Sequence, residues 1–226
     1  MSKLNFLVLS GSTREYIDPV RFISNKSSGK MGKALAEQIV KRKNNLIFIT
    51  GPAEFMPSFK LSCGNQIIKV TSADEMFAAT KKNLKQADII ISVAAVCDFK
   101  ALRQKKNKIK KTSTNRFSIE LTKNPDIVAY CARKKKNQVV VGFALETQNI
   151  FQNAEEKLEK KNLDLIVANS DKSFGADFTT AYIIRKNAKI VGLKNFSKKE
   201  IARRIINESI SLFRNIKDGK NNPARI

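Results

Sequence analysis

Residues 5–9 read NFLVL and empty into the small-residue turn Ser10-Gly11-Ser12-Thr13-Arg14, and residues 46–50 read LIFIT after a helical stretch at 29–43. Short, nearly continuous apolar runs rich in β-branched residues are strands buried on both faces, the kind that parallel sheets use. The unit recurs at 67–70 (IIKV), 89–96 (IIISVAAV), 139–143 (VVVGF) and 163–168 (LDLIVA). Between the strands lie helical patterns. Residues 29–43 set Met31, Leu35, Ile39 and Val40 on one face behind the cap-like Ser27–Ser28, and 72–85 open with the capping box Ser72-x-x-Glu75. Residues 125–136 and 148–161 read the same way, the second entered through Thr147 as its N-cap.

Strand and helix in alternation predict an α/β fold, a Rossmann-like three-layer α/β/α arrangement with a mostly parallel sheet, which binds ligands beyond the carboxyl ends of its strands. Two segments break the pattern. Residues 99–118 are strongly basic with little periodicity and read as a flap, and 179–193 read as a hairpin turning at Lys186–Asn187. A last helix at about 198–213 closes a single domain of residues 1–216, followed by a polar tail, 217–226, expected to fray.

The 226 residues suffice for one large domain with a real core. Lys and Arg number 43 against 20 Asp and Glu, a formal charge of +23, so an anionic partner is expected, either nucleic acid or a small phosphate. The chain has no His. That excludes Ser-His-Asp and Cys-His catalysis, His-ligated zinc and an imidazole base. Cys63, Cys97 and Cys131 are odd in number and form no CxxC pair, so neither a disulfide framework nor a four-cysteine zinc site is available. A reducing, cytoplasmic setting is expected. Residues 1–11 lack the plan of a signal peptide, and no apolar stretch is long enough to span a membrane.

Residues 10–14 and 25–32 (NKSSGKMG) read as anion sites, where small residues let backbone N–H groups and a helix N-terminus approach phosphate oxygens. The same turns also serve as plain β-to-α connections. Between them, 14–25 form a long Pro-containing loop with two arginines. Asn25 at its end is either a helix cap or, with Arg21, a group that holds a carboxylate or a developing oxyanion, and spacing alone admits both. Asp98 ends an apolar strand, where this architecture places ligands. Cys97 beside it reads as an inert buried thiol.

The run Thr13-Arg14-Glu15, then Asp18-Pro19-Val20-Arg21-Phe22-Ile23-Ser24-Asn25, then Ser27-Ser28-Gly29-Lys30-Met31-Gly32, resembles the signature of the phosphopantothenoylcysteine synthetase family, the cysteine-adding ligases of coenzyme A synthesis. Further blocks agree in order: 94–99 (AAVCDF), 108–111 (KIKK), 123–128 (KNPDIV), 141–147 (VGFALET) and 157–169. Cys97 stands where the family pattern carries a small, alanine-like residue, Ser12 sits in a turn often richer in glycine, and Leu145 and Ser170 also depart from the commonest pattern. Because the bacterial activity is often half of a fused polypeptide with a flavin-dependent decarboxylase, a chain starting at Met1 just before the first strand is expected to be either a free-standing synthetase or a piece cut at the domain boundary, with no room for a flavin domain in its own length.

The KIKK block resembles the CTP-using bacterial type, in which phosphopantothenate becomes an acyl-cytidylate with loss of pyrophosphate and cysteine then displaces CMP. The resemblance implies that Asn25 binds the acyl carbonyl, that Arg21 and Asn25 bind substrate, and that Lys108 helps make the intermediate. Without the motif, Lys108 is one of many solvated lysines. For the nucleotide, the resemblance implies Ser92, Val93, Ala94 and Asp98 near base or ribose, Pro125, Asp126, Ile127 and Val128 as a backbone cradle, and Phe143, Lys157 and Lys161 on the wall, with Ser27, Gly29 and Gly32 at phosphate. Lys157 and Lys161 share a helix face that meets triphosphate or water, and Phe143 is core by default. Mg²⁺ is implied by the triphosphate, held largely by phosphates and water, with Asp98 and Glu146 as candidate ligands.

The resemblance also implies a homodimer paired through the hairpin region and neighbouring segments, and a separate phosphopantothenoylcysteine decarboxylase as a further partner. A nucleic-acid-binding module is the reading from another class, supported by charge alone. A nicotinamide-dependent reductase lacks GxGxxG.

Overall fold

Phe6 and Val8 on strand β1 (Asn5–Ser10) pack into the hydrophobic cluster on one face of the sheet, while Leu7 and Leu9 pack into the cluster on the other. All four are at most 1% exposed, so β1 is the buried centre that its sequence predicts. The computed structural model describes residues 2–62, 64–110, 116–146, 148–170, 178–186, 188 and 190–219.

Around β1 the chain builds six parallel strands, with β4 (Asn45–Thr50) and β5 (Asn65–Lys69) on one side and β6 (Ile89–Ser92), β9 (Val139–Glu146) and β10 (Leu165–Ser170) on the other. Antiparallel β11 (Phe178–Arg185) and β12 (Val191–Ser197) extend the β10 edge, giving the order β12-β11-β10-β9-β6-β1-β4-β5. The parallel part is the doubly wound order, whose switch point lies between β1 and β6. Helices α1 (Lys30–Lys41) and α5 (Lys198–Lys217) cover one face, with Leu35, Ile39, Ile201, Ile205 and Phe213 in its core. Helices α2 (Ala73–Asn83), α3 (Ile127–Lys134) and α4 (Ile150–Lys160) cover the other with Met76, Cys131, Ala132, Ala154 and Leu158. The Rossmann-like three-layer expectation holds.

Several local expectations change. The apolar run 89–96 stays in the sheet only to Ser92, because β1 ends at Ser10. The loop expected at 14–25 is a two-stranded ribbon, β2 (Arg14–Tyr16) against β3 (Phe22–Ser24). Its turn is closed by Ile17 N–H on the Arg21 carbonyl at 2.8 Å, with Asp18 and Pro19 supplying the turn chemistry. The flap has a ribbon base, β7 (Phe99–Ala101) against β8 (Leu121–Lys123), and so reaches past residue 118.

Helix α1 takes no side-chain cap from Ser27 or Ser28: its N-cap is Gly29, at φ 81°. A Cβ there would lie 2.7 Å from that of Ala53, so both φ and space demand glycine. At α2, Ser72 caps Glu75 N–H at 3.2 Å, but the Glu75 carboxylate takes Thr71 N–H at 2.7 Å, so only half of the predicted box forms. Helix α4 starts at Ile150 with Asn149 as its N-cap, two residues later than a Thr147 cap requires. Thr147 itself lies outside the described residues, as do Cys63, Lys111 of the KIKK block, Asn187 of the hairpin turn and tail residues 220–226. Helix α5 runs on to Lys217, with a full capping box between Ser197 and Glu200.

Candidate active site

Beyond Ser92 the chain leaves the sheet but continues alongside the extension of β1. Val93 N–H donates to Leu9 at 2.9 Å, Ala95 N–H to Gly11 at 2.9 Å, and Cys97 N–H to the Thr13 hydroxyl at 3.1 Å. This carries residues 93–98 out past the carboxyl ends of the strands, where a doubly wound sheet keeps its ligand crevice. Asn124 ties the next segment to it: its N–H donates to the Asp98 carbonyl at 2.8 Å and its Nδ2 to the Cys97 carbonyl at 2.9 Å. Its Oδ1 is buried without a hydrogen-bond partner.

A cavity of about 170 Å³ opens there. Ser92, Ala94, Asp98, Pro125, Asp126, Ile127, Val128, Phe143, Lys157 and Lys161, all named from sequence, line it together. Sequence reasoning left out Val96 and Asn124 and read Cys97 as packing only, and these three line it too. The signal for Asn124 was its place before Pro125, since a residue preceding proline is held extended and out of the helix.

Asp126 is the N-cap of α3, accepting from Ala129 N–H at 3.0 Å, and its second oxygen pairs with Lys161 Nζ at 2.7 Å. Burial pushes the Asp126 pKa up, but the hydrogen bond and charge of Lys161, the Ala129 N–H and Lys157 outweigh it, and the net direction is down. Lys157 Nζ donates to the Phe143 carbonyl at 2.9 Å. Burial, and then the charge of Lys161, lower the Lys157 pKa against the opposing pull of Glu146, Asp126 and Asp98. Two ammonium groups one helical turn apart thus face one cavity, and an anion bound there would favour the charged form of Lys157, opposing the effect of burial and of Lys161. Burial raises the Cys97 thiol above its ordinary value, which agrees with an inert thiol.

The remaining predicted residues stand outside the cavity lining. Asn25 is no cap: its Nδ2 donates to the carbonyl of Val96, a wall residue, at 2.9 Å. Arg21 pairs with Asp18 at 2.9 Å and also donates to the Ile109 carbonyl. Lys108 is exposed on the flap, next to Ile109. Val93 packs against the α1/α5 core. Ser27 and Gly29 sit at the entry to α1, away from the cavity wall. Gly32 is buried where a Cβ would come 1.8 Å from Ser10 Oγ, so helix–strand packing requires its glycine.

A larger cavity, about 440 Å³, lies between β2, the start of α2 and β7, and of the predicted site residues it includes only Arg14, the last of the 10–14 turn. Its charged groups are engaged within the fold: Lys100 pairs with Asp74, Glu75 holds Thr71 N–H, Glu15 accepts from Ala73 N–H at 2.9 Å, and the Arg14 guanidinium lies over the Phe22 ring at 4.6 Å. The smaller cavity, at the strand ends, is therefore the candidate site. Among the described residues no three carboxylate or thiol groups gather as a metal site, and no helix is long and apolar enough to cross a membrane.

Comparison with known proteins gives the same frame. The chain is 44% identical over 203 residues to the coenzyme A biosynthesis bifunctional protein CoaBC of Borreliella burgdorferi, covering 88% of this chain and 50% of that one. It is 42% identical over 215 residues to the CoaBC of Haemophilus influenzae, covering 93% and 52%. The chain thus spans about half the length of these curated relatives. A crystal structure of the C-terminal domain of a CoaBC protein superposes with a TM-score of 0.78 at 31% identity, covering 96% of this chain and 98% of that one. Residues 1–212 match the family described as the DNA/pantothenate metabolism flavoprotein C-terminal domain. The chain belongs to that family.

Proposed function

We propose that this chain is a phosphopantothenate–cysteine ligase of coenzyme A biosynthesis that uses CTP. The observation that carries the reading is the convergence of ten sequence-predicted residues, from four separate motifs, on one cavity at the strand ends that two lysines face. The resemblance to the CoaBC C-terminal domain across nearly the whole chain supports it. In this reading the carboxylate of 4′-phosphopantothenate attacks the α-phosphorus of CTP, forming an acyl-cytidylate and releasing pyrophosphate. The amine of L-cysteine then attacks the acyl carbon, forming the amide, and CMP leaves.

The chain's own groups supply position and charge. Lys157 and Lys161 neutralise phosphate oxygens, and the segment from Pro125 to Val128 approaches the nucleotide with its backbone. Ser27 and Gly29, at the entry to α1, offer phosphate contacts outside the cavity wall. Asn25 Nδ2 carries two hydrogens, one already committed to Val96, and the second is available to the acyl carbonyl. Lys108 and Arg21 bring cationic charge from the flap and the ribbon turn. Mg²⁺ fits as an ion that arrives on the triphosphate, with Asp98 on the cavity wall or Glu146 adding one carboxylate, and it supplies charge neutralisation when bound.

The nucleotide assignment is tested by pyrophosphate release with phosphopantothenate and Mg²⁺, run with CTP and with ATP. Release with CTP at least about tenfold faster, a discrimination within reach of a few polar contacts, is expected. Release with ATP alone overturns the nucleotide while keeping the ligase.

The same proposal includes a cytoplasmic homodimer and, as a further partner, a phosphopantothenoylcysteine decarboxylase. Phe22, Phe99 and Leu121 on the two ribbons, with Val20 and Leu102 beside them, are 40–57% exposed. β2 packs beside β7, so these apolar side chains lie on neighbouring ribbons, and a second copy would remove them from water. Exposed apolar surface thus favours the ribbons over the expected C-terminal hairpin, where Phe178 is the large apolar side chain that is exposed among the described residues. Light scattering is expected to give twice the chain mass of 25.4 kDa. A monomeric mass with activity intact contradicts the dimer.

A further inference from the structure

The turn between β2 and β3 is closed by a carboxylate that divides its two oxygens between two tasks. Asp18 is buried, and its Oδ1 accepts the N–H groups of Val20 and Arg21, each at 2.8 Å, which holds the turn itself. Its Oδ2 faces elsewhere: it accepts Arg21 Nε at 3.0 Å, Arg21 Nη2 at 2.9 Å and the N–H of Ile109 at 3.1 Å. Arg21 Nη2 also donates to the carbonyl of Ile109. One acid–base pair therefore takes both backbone polar groups of a single flap residue 91 positions away from Asp18 in sequence. A further bond, Lys105 N–H to the Ile17 carbonyl at 2.9 Å, docks the same flap segment on the same turn.

We propose that Asp18 is a positioning residue: with Arg21 it grips the Ile109 peptide from both sides and so fixes where the neighbouring Lys108 stands. Segment 102–110 has no helix or strand of its own beyond these contacts. Its exposed, like-charged lysines favour detachment. A buried carboxylate carrying hydrogen bonds from a guanidinium and three N–H groups is the kind of anchor that resists it. Burial pushes the Asp18 carboxyl up, but the N–H groups of Ile109, Val20 and Arg21 and the Arg21 charge prevail and hold it at about 2, so the clamp is charged throughout the neutral range. The proposal deepens the ligase reading and rests on it only for the role of Lys108. The docking of the flap stands on the hydrogen bonds alone.

Asp18→Asn separates the two tasks. An amide whose carbonyl oxygen serves the Val20 and Arg21 N–H groups turns its NH₂ toward the guanidinium and the Ile109 N–H, donor against donor, so the turn survives and the flap contact is lost. Amide hydrogen exchange of peptide 102–110 is expected to quicken at least about tenfold, as for a segment freed to open locally. Pyrophosphate release is expected to fall at least about tenfold with KM for CTP within about threefold, and the double variant with Lys108→Gln to be no slower than Lys108→Gln alone, the non-additivity of groups acting as a unit. Unchanged exchange in 102–110, or losses that multiply in the double variant, overturns the proposal. If Asp18→Asn does not fold, Ile109→Pro removes the flap's own donor and leaves the Asp18 turn intact. The amide of Lys105, bonded to the Ile17 carbonyl, should then lose protection, and its unchanged exchange counts against the latch. A wild-type chain that releases no pyrophosphate with any nucleotide ends the ligase reading, while the exchange measurement still decides the latch.

Discussion

With Asn25→Asp, CMP release is expected to slow by about 10²–10³-fold, the cost of removing one donor aimed at a developing oxyanion. In the present geometry Asn25 Nδ2 donates to the Val96 carbonyl at 2.9 Å, which pins the amide against the wall of the cavity and leaves its second hydrogen for the substrate. A carboxylate at that place has no hydrogen to give. It sets an anion against the Val96 carbonyl and against the acyl oxygen as negative charge builds on it. The first half-reaction asks less of this group, because charge then develops around phosphorus. Rapid-quench sampling should therefore find pyrophosphate released in a burst while acyl-cytidylate accumulates. Normal turnover in the variant removes Asn25 from its assigned role.

Lys108→Gln is expected to act on the other half-reaction, lowering pyrophosphate release by about 10²-fold. Carboxylate attack on a phosphorus already crowded with negative oxygens gains from each cation brought close, and Lys108 stands one residue from the Ile109 peptide held by Asp18 and Arg21. Gln keeps a polar hydrogen-bonding end on a slightly shorter side chain and removes the charge. Lys157 and Lys161 remain on the cavity wall, so affinity for the nucleotide should change little, and the loss should appear in kcat. An equal fall in affinity and rate would make Lys108 a plain phosphate contact, and unchanged formation of the intermediate would return it to the solvated lysines.

The parallel sheet was legible because buried strands announce themselves by continuous apolar runs, and five of the six predicted runs match strands to within a few residues. The exception in length is instructive. Residues 89–96 are apolar throughout, yet the strand ends at Ser92, because its neighbour β1 gives out at Ser10 and Gly11 turns away at φ 77°. A run of sequence does not show where its partner stops. The β2–β3 ribbon was hidden for a different reason: three-residue strands carry too little alternation to be read, and the one signal was the Asp-Pro turn at Asp18.

The cavity wall was legible through motifs rather than periodicity. Lys157 and Lys161 read as a solvated face on spacing alone, and they reach the cavity because Phe143 and Asp126 hold their ammonium groups. Asp18 and Asn124 escaped because their work is tertiary. One grips a peptide from the flap, and the other sews residues 97–98 to the start of α3. Local sequence gives no measure of a contact made 91 positions away.

The central claim is that this chain by itself joins 4′-phosphopantothenate to cysteine. The most direct test incubates the purified chain with CTP, Mg²⁺, 4′-phosphopantothenate and L-cysteine, and follows CMP and phosphopantothenoylcysteine by mass spectrometry, with cysteine omitted in a parallel tube. The account predicts CMP and the amide in equal amounts, and acyl-cytidylate with pyrophosphate but little CMP when cysteine is absent. Folded protein that forms neither the amide nor the acyl-cytidylate with CTP or ATP contradicts it.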